Sequence, residues 1–128
     1  MPLDNLANRV SLALDAPRAG SSDFDLNPDL HLSPDRKLRP AAVLVALAQG
    51  PSGVEVILTK RSSLLKHHPG QIAFPGGKVD AEDASPQAAA RREAWEEIGL
   101  PADAARVIGA LPNHETVTGF TMLPFVAV

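Results

Sequence analysis

One segment, residues 90–100, concentrates acidic side chains in a way that limits both its conformation and its role. On a helix, Glu93 and Glu97 stand four residues apart and Glu96 follows Glu93 by three, so the three carboxylates share one face. Gly99 is typical of the residue that follows a helix, which places Glu96 and Glu97 in the last turn, at the negative end of the helix dipole. Both features destabilise the helix. They predict that a divalent cation, bound by the carboxylate oxygens, offsets this loss of helix stability.

The same segment contains a known motif. The run Arg-Glu-Ala-Trp-Glu-Glu-Ile-Gly-Leu at residues 92–100, preceded by Gly77, resembles a Nudix box. Asp83 stands where the usual box has a glutamate, and the span from Gly77 to Arg92 is one residue longer than usual. The chain is therefore similar to the Nudix family in this region, with these departures.

A second signature lies upstream of the box. Leu-Thr-Lys-Arg-Ser-Ser at residues 58–63 and His-Pro-Gly-Gln-Ile-Ala-Phe-Pro-Gly-Gly at residues 68–77 resemble the signature of the coenzyme A pyrophosphatase branch of that family. Lys66 stands at a position that is often Arg in the branch. The extra residue in the box also resembles this branch, and the two motifs together are far more specific than either alone.

The resemblance implies a fold and an activity. The fold would be α/β (α+β), a Nudix-like α/β/α sandwich with a mixed sheet. The activity would be metal-dependent hydrolysis of the diphosphate bond of a nucleoside diphosphate derivative, with Mg²⁺ or Mn²⁺ as cofactor. The branch implies coenzyme A or acyl-coenzyme A as substrate, with 3′,5′-ADP and a phosphopantetheine as products. Two alternatives stay open: a pyrophosphatase for ADP-ribose or nucleoside triphosphates, and a catalytically silent Nudix-like binding module.

The resemblance also implies roles for the acidic segment. Glu93, Glu96 and Glu97 would bind the metal ion. Glu96 would help to deprotonate the attacking water, with Arg92 and Glu93 completing the catalytic group. The forked guanidinium of Arg92 suits the task of holding Glu93 in one orientation. Whether Asp83 supplies the remaining acid of the box stays open.

Two groups of residues near the box are candidates for substrate binding. Gly76 and Gly77 could simply make a tight turn, since glycine tolerates positive φ. As a loop-to-helix element they would also let backbone N–H groups approach a phosphate, and the neighbouring glutamates favour this second interpretation. Lys60, Arg61 and Lys66 are either ordinary surface charge or a cationic rim for a polyphosphate or for the 3′-phosphate of coenzyme A.

Composition narrows the class of protein. A formal net charge of −3 argues against a general nucleic-acid binder, which would carry a basic excess. Zero cysteines exclude disulfides and thiol catalysis and fit a reducing compartment. The longest apolar stretch, residues 41–48, is too short to cross a bilayer, and the N-terminus lacks a secretory pattern. We therefore expect a cytoplasmic protein whose partner is a small-molecule nucleotide, with no nucleic acid and no membrane; a homodimer is compatible with this expectation.

The 128 residues divide into two regions. Residues 1–40 are expected to form an N-terminal helix over 3–15 and an extended, proline-rich connection over 16–40. Residues 41–128 are expected to form the Nudix domain. Its C-terminal part is expected to be missing, because the chain stops in an apolar strand.

Within the second region, apolar runs and turn residues predict the elements. The predicted elements are strands 42–47, 54–59, 71–74, 107–111 and 120–128, a turn at 75–77, loops at 60–70 and 112–118, and a helix over 86–98. Ser85 is the expected cap of that helix and Pro86 its first residue. Trp95 is expected in the core and Arg91 in solvent.

Overall fold

The computed structural model describes residues 3–16, 19–22, 37–60, 70–116 and 119–128. In these ranges the elements in chain order are α1 (Leu3–Leu14), β1 (Ser21–Ser22), β2 (Arg39–Gly50), β3 (Gly53–Val56), β4 (Thr59–Lys60), β5 (Ile72–Ala73), β6 (Gly76–Lys78), α2 (Pro86–Ile98), β7 (Val107–Ala110), β8 (His114–Glu115) and β9 (Phe120–Ala127). Both predicted helices are confirmed, α2 at both of its ends. The strands predicted at 42–47, 107–111 and 120–128 are confirmed as β2, β7 and β9.

Other predicted elements are corrected. The strand predicted for 54–59 is divided, because β3 pairs with β2 while β4 pairs with β5 in a separate two-stranded sheet. The turn predicted at 75–77 is wrong from Gly76 onward, since β6 begins there and pairs with β2. The predicted loop at 112–118 contains β8. Most of the predicted connection 16–40 and of the loop 60–70 lies outside the described residues.

The main sheet is mixed and is built around β2. Along one edge β2 pairs in parallel with β9, in a register that aligns Ala42 with Leu123. Along its other edge β2 pairs with β6 over its first half and with β3 over its second half, both antiparallel. The far edge of β9 is divided in the same way between β7 and β8, and β1 adds to β8 in parallel. The apolar run of β2 therefore occupies the centre of the sheet, as expected for a strand buried on both faces.

Helix α2 packs on one face of this sheet through small side chains. The buried cluster between them consists of Ala42, Leu44, Ala46, Ala89, Ala90, Ala94 and Ala127. Alternate residues of β2 point to this face, because successive side chains in a strand point to opposite sides. Alanine on both surfaces lets the helix axis approach the sheet closely, and Glu93 of α2 lies beside Gly77 of β6.

Helix α1 lies on the opposite face. Leu6 and Ala7 are buried, and the side chain of Leu14 packs where a Cβ on Gly109 of β7 would otherwise lie. Val126 lines a groove of about 410 Å³ with α1, whereas the next residue, Ala127, belongs to the cluster under α2. The described part of the chain thus has an α/β/α layering. Among the described residues, no helix has the length and apolar character needed to cross a bilayer.

Candidate functional site

Helix α2 begins after Ser85 and ends before Gly99, as predicted from the sequence. Ser85 has extended backbone angles and its Oγ accepts a hydrogen bond from Ala88 N–H at 3.1 Å. Gly99 has a φ of 68°, which favours glycine, and its N–H donates to the carbonyl of Trp95 at 2.9 Å. The last turn carries no basic residue. Glu96 and Glu97 therefore lie at the negative end of the helix dipole without a local cation in that turn.

Arg92 is the centre of the acidic face. Its Nε donates to Asp83 Oδ1 at 2.9 Å and its Nη2 to Asp83 Oδ2 at 3.1 Å, a bidentate contact. Its Nη1 donates to Glu93 Oε1 at 3.1 Å and to Glu96 Oε2 at 3.2 Å. Its Nη2 also lies 3.3 Å from Asp80 Oδ2. One guanidinium thus contacts four carboxylates, of which the sequence had predicted the contact with Glu93.

These contacts determine the charge states of Asp83 and Arg92. The hydrogen bond from Arg92 lowers the pKa of Asp83, and a second hydrogen bond from the backbone N–H of Asp80 lowers it further. The hydrogen bond to Asp83 is likewise the main cause of a raised pKa for Arg92. The Asp83 side chain is 7% exposed, so its carboxylate is directed toward Arg92 and not into solvent. At neutral pH both groups are charged, and Asp83 anchors Arg92.

Glycine is required in β6 because of close packing. Neither Gly76 nor Gly77 is among the described glycines with positive φ, so the predicted tight turn does not explain glycine here. A Cβ on Gly77 would lie 2.8 Å from Glu93 Cδ and 3.0 Å from its Oε1. A Cβ on Gly76 would lie 2.6 Å from the Cα of Val43 in β2. The carboxylate of Glu93 therefore lies directly against the backbone of Gly77.

Other residues singled out in the sequence are placed differently. Lys60 is exposed in β4, whereas Arg61 and Lys66 lie outside the described residues. Trp95 is 59% exposed, so its predicted core position is wrong; the buried stripe of α2 is made of alanines that leave no room for an indole. Arg91 is half-buried and its Nη1 donates to Ala102 O at 3.1 Å, which corrects its expected solvent position.

The donor set suits a hard divalent cation. Glu93 and Glu96 both accept from Arg92 Nη1, at 3.1 Å and 3.2 Å, so both carboxylates have an oxygen beside the same nitrogen atom. Carboxylate oxygens are the ligands that Mg²⁺ and Mn²⁺ prefer. No three acidic or histidine side chains in the described ranges already converge around a single point. An ion at this site would therefore compete with Arg92 for Glu93 and Glu96.

Comparison with known proteins identifies the family of this chain. A model of the NUDIX domain matches residues 37–126, and the chain belongs to the Nudix family. Several curated relatives bear the name Uncharacterized Nudix hydrolase NudL. The one from Klebsiella pneumoniae (strain 342) is 46% identical over 118 residues, covering 84% of this chain and 61% of that protein. The one from Klebsiella aerogenes is 47% identical over 103 residues, covering 80% of this chain and 84% of that protein.

Solved structures support the fold. The crystal structure of RenU, a Nudix hydrolase from M. smegmatis, aligns with a TM-score of 0.57 and 31% identity, over 70% of this chain and 59% of that one. A MutT/nudix family protein from Enterococcus faecalis aligns with a TM-score of 0.54 and 18% identity, over 81% of this chain and 41% of that one, and supports the fold alone. The predicted Nudix-like α/β fold with a mixed sheet is confirmed.

Proposed function

We propose that this protein is a metal-dependent Nudix hydrolase that cleaves the diphosphate bond of a nucleoside diphosphate derivative. The observation that carries the proposal is the arrangement around Arg92, whose Nη1 donates to Glu93 and Glu96 while Asp83 fixes the opposite edge of the guanidinium. The carboxylates of Glu96 and Glu97 in the last turn oppose the helix dipole, so a purely structural helix would not favour them there. The arrangement is expected where the acids act on a bound cation.

Glu93, Glu96 and Glu97 would hold Mg²⁺ or Mn²⁺. When bound, the ion screens the charge of the diphosphate and makes a water molecule more acidic. The role of Arg92 is to limit the orientations of Glu93, and Gly77 leaves the space in which the Glu93 carboxylate lies. A phosphate that reaches Glu93 would also approach the backbone of Gly76 and Gly77.

The reaction needs a proton acceptor and an exposed one is present. Glu96 lies in the last turn of α2, with its side chain largely in solvent. In the proposed step, Glu96 takes a proton from water as the water oxygen forms a bond to one phosphorus atom in line. The bond between that phosphorus and the bridging oxygen breaks, and the other phosphate leaves as a monoester. The proton remains on the Glu96 carboxylate until solvent removes it.

The substrate that we propose is coenzyme A or an acyl derivative, cleaved to 3′,5′-ADP and a phosphopantetheine in the cytoplasm. Support comes from the similarity of residues 58–77 to the branch signature. In this proposal Lys60, Arg61 and Lys66 contact the 3′-phosphate, which most competing substrates lack. The chain spans 61% of the length of its Klebsiella pneumoniae relative, and substrate choice depends on pocket walls that the box does not encode.

A hydrolysis screen with identified products tests the proposal. Coenzyme A, 3′-dephospho-coenzyme A, ADP-ribose and nucleoside triphosphates are compared with Mg²⁺ or Mn²⁺ present. We expect coenzyme A to be cleaved fastest, with 3′,5′-ADP as a product. Arg61→Glu should reduce the preference for coenzyme A over 3′-dephospho-coenzyme A, mainly by raising KM for coenzyme A. The reason is that the proposed contact of Arg61 with the 3′-phosphate lies away from the reacting phosphorus.

Lys37→Glu makes the same charge reversal at an exposed lysine outside the signature and serves as the control. Equal rates on the two coenzyme A forms, together with faster hydrolysis of ADP-ribose, would contradict the substrate assignment. An absence of turnover on every diphosphate would favour the silent binding module.

Replacing Gly77 by alanine is expected to displace Glu93. The new Cβ would lie 2.8 Å from Glu93 Cδ, and Glu93 cannot retreat freely because Arg92 holds its Oε1 at 3.1 Å. We expect kcat/KM to fall roughly tenfold or more, since small misplacements of catalytic groups are costly. Gly50→Ala is the matched control: its Cβ would also meet a glutamate, Glu55, but that side chain is exposed and away from α2. Equal kinetics for both variants would contradict the role of Gly77.

A further inference from the structure

The turn before α2 is closed by a reciprocal pair of hydrogen bonds. The N–H of Asp80 donates to Asp83 Oδ2 at 2.8 Å, and the N–H of Asp83 donates to Asp80 O at 3.1 Å. The Asp83 carboxylate is therefore tied to its own turn before it contacts Arg92. This makes residues 80–83 a rigid support for one edge of the guanidinium.

Arg92 has five N–H donors, and the contacts use all three nitrogens. Nε and one hydrogen of Nη2 are directed to Asp83, and Nη1 is directed to Glu93 and Glu96. The remaining hydrogen of Nη2 is donated to the carbonyl of Lys78 at 3.4 Å, and Asp80 Oδ2 lies 3.3 Å from the same nitrogen as an ion pair. Asp80 is thus the fourth carboxylate paired with the guanidinium, and its side chain is 50% exposed.

We infer that Asp80 is a positioning residue that weakens the hold of Arg92 on Glu93 and Glu96, so that these two carboxylates are available to a divalent cation. The inference rests on the proposed function. One positive charge is divided among four carboxylates, so each of them interacts with a partly neutralised guanidinium. Without the charge of Asp80, Arg92 attracts Glu93 and Glu96 more strongly, and a cation must overcome that attraction. Lys78 O already accepts this N–H of Nη2, so removing the charge of Asp80 leaves no hydrogen of that nitrogen without a partner.

The test measures Mn²⁺ binding directly, by electron paramagnetic resonance of the free ion, in the wild type and two variants. Asp80→Asn keeps the shape of the side chain and removes its charge. Glu82→Gln removes the same charge from the same turn, at an exposed residue that forms no hydrogen bond or ion pair with Arg92 in the described part of the chain. We expect Asp80→Asn to raise the Kd for Mn²⁺ by roughly threefold to tenfold. Mutating a buried residue that holds a metal ligand usually weakens metal binding more than this, and the expected effect is smaller here because the Asp80 side chain is half-exposed.

Glu82→Gln is expected to leave the Kd within about twofold of wild type, because solvent screens its charge. The metal-free melting temperature of Asp80→Asn should stay within about 2 °C of wild type, since a half-exposed ion pair contributes little to folding. Equal Kd values in all three proteins, or equal increases in the two variants, would overturn the role of Asp80 but not the proposed function. A wild-type protein without saturable Mn²⁺ binding would overturn the proposed function together with it.

Discussion

Arg92→Lys is expected to lower kcat/KM by about 100-fold or more while the protein still folds. Lysine keeps the positive charge beside Asp83 but has a single nitrogen in place of three. It cannot donate along one edge to both oxygens of Asp83 and at the same time reach Glu93 and Glu96, as Arg92 does. The two glutamates would lose their common donor, and their orientations at the end of α2 would no longer be restricted.

Steady-state kinetics and thermal melting of the same preparation separate catalysis from folding. Arg106→Lys provides the control, since Arg106 is exposed and lies outside the acidic face. Parallel losses of activity and melting temperature in Arg92→Lys would identify the Arg92–Asp83 contact as structural. Unchanged kcat/KM in Arg92→Lys would mean that Arg92 has no role in catalysis.

The sequence predicted the parts of the molecule that depend on local chemistry. Ser85 and Gly99 mark the two ends of α2 because a cap and a left-handed terminal glycine act within one turn. The spacing of Glu93, Glu96 and Glu97 places them on one face of any regular helix, whatever the tertiary structure. These local rules explain why the candidate acids could be selected without a structure.

Features that depend on packing between distant segments could not be predicted in this way. The extended backbone of Gly76 and Gly77 follows from pairing with β2, and the need for glycine at 77 follows from Glu93, which is distant in sequence. The exposure of Trp95 follows from the alanine surface that β2 presents to α2. The contact of Asp80 with Arg92 likewise requires the turn to fold back on the helix, and no motif position indicated it.

Mn²⁺-dependent thermal melting is the most direct measurement of whether the acidic face of α2 binds a divalent cation. At a Mn²⁺ concentration about tenfold above Kd, mass action stabilises the native state by about 1.4 kcal/mol, or roughly 5 °C in melting temperature for a domain of this size. The rise is measured within each variant, so differences in metal-free stability do not affect it. Glu97→Gln should lose most of the rise, whereas Glu82→Gln should keep it. A wild-type melting temperature that does not respond to Mn²⁺, or an equal rise of the melting temperature in Glu97→Gln, would contradict cation binding at this face.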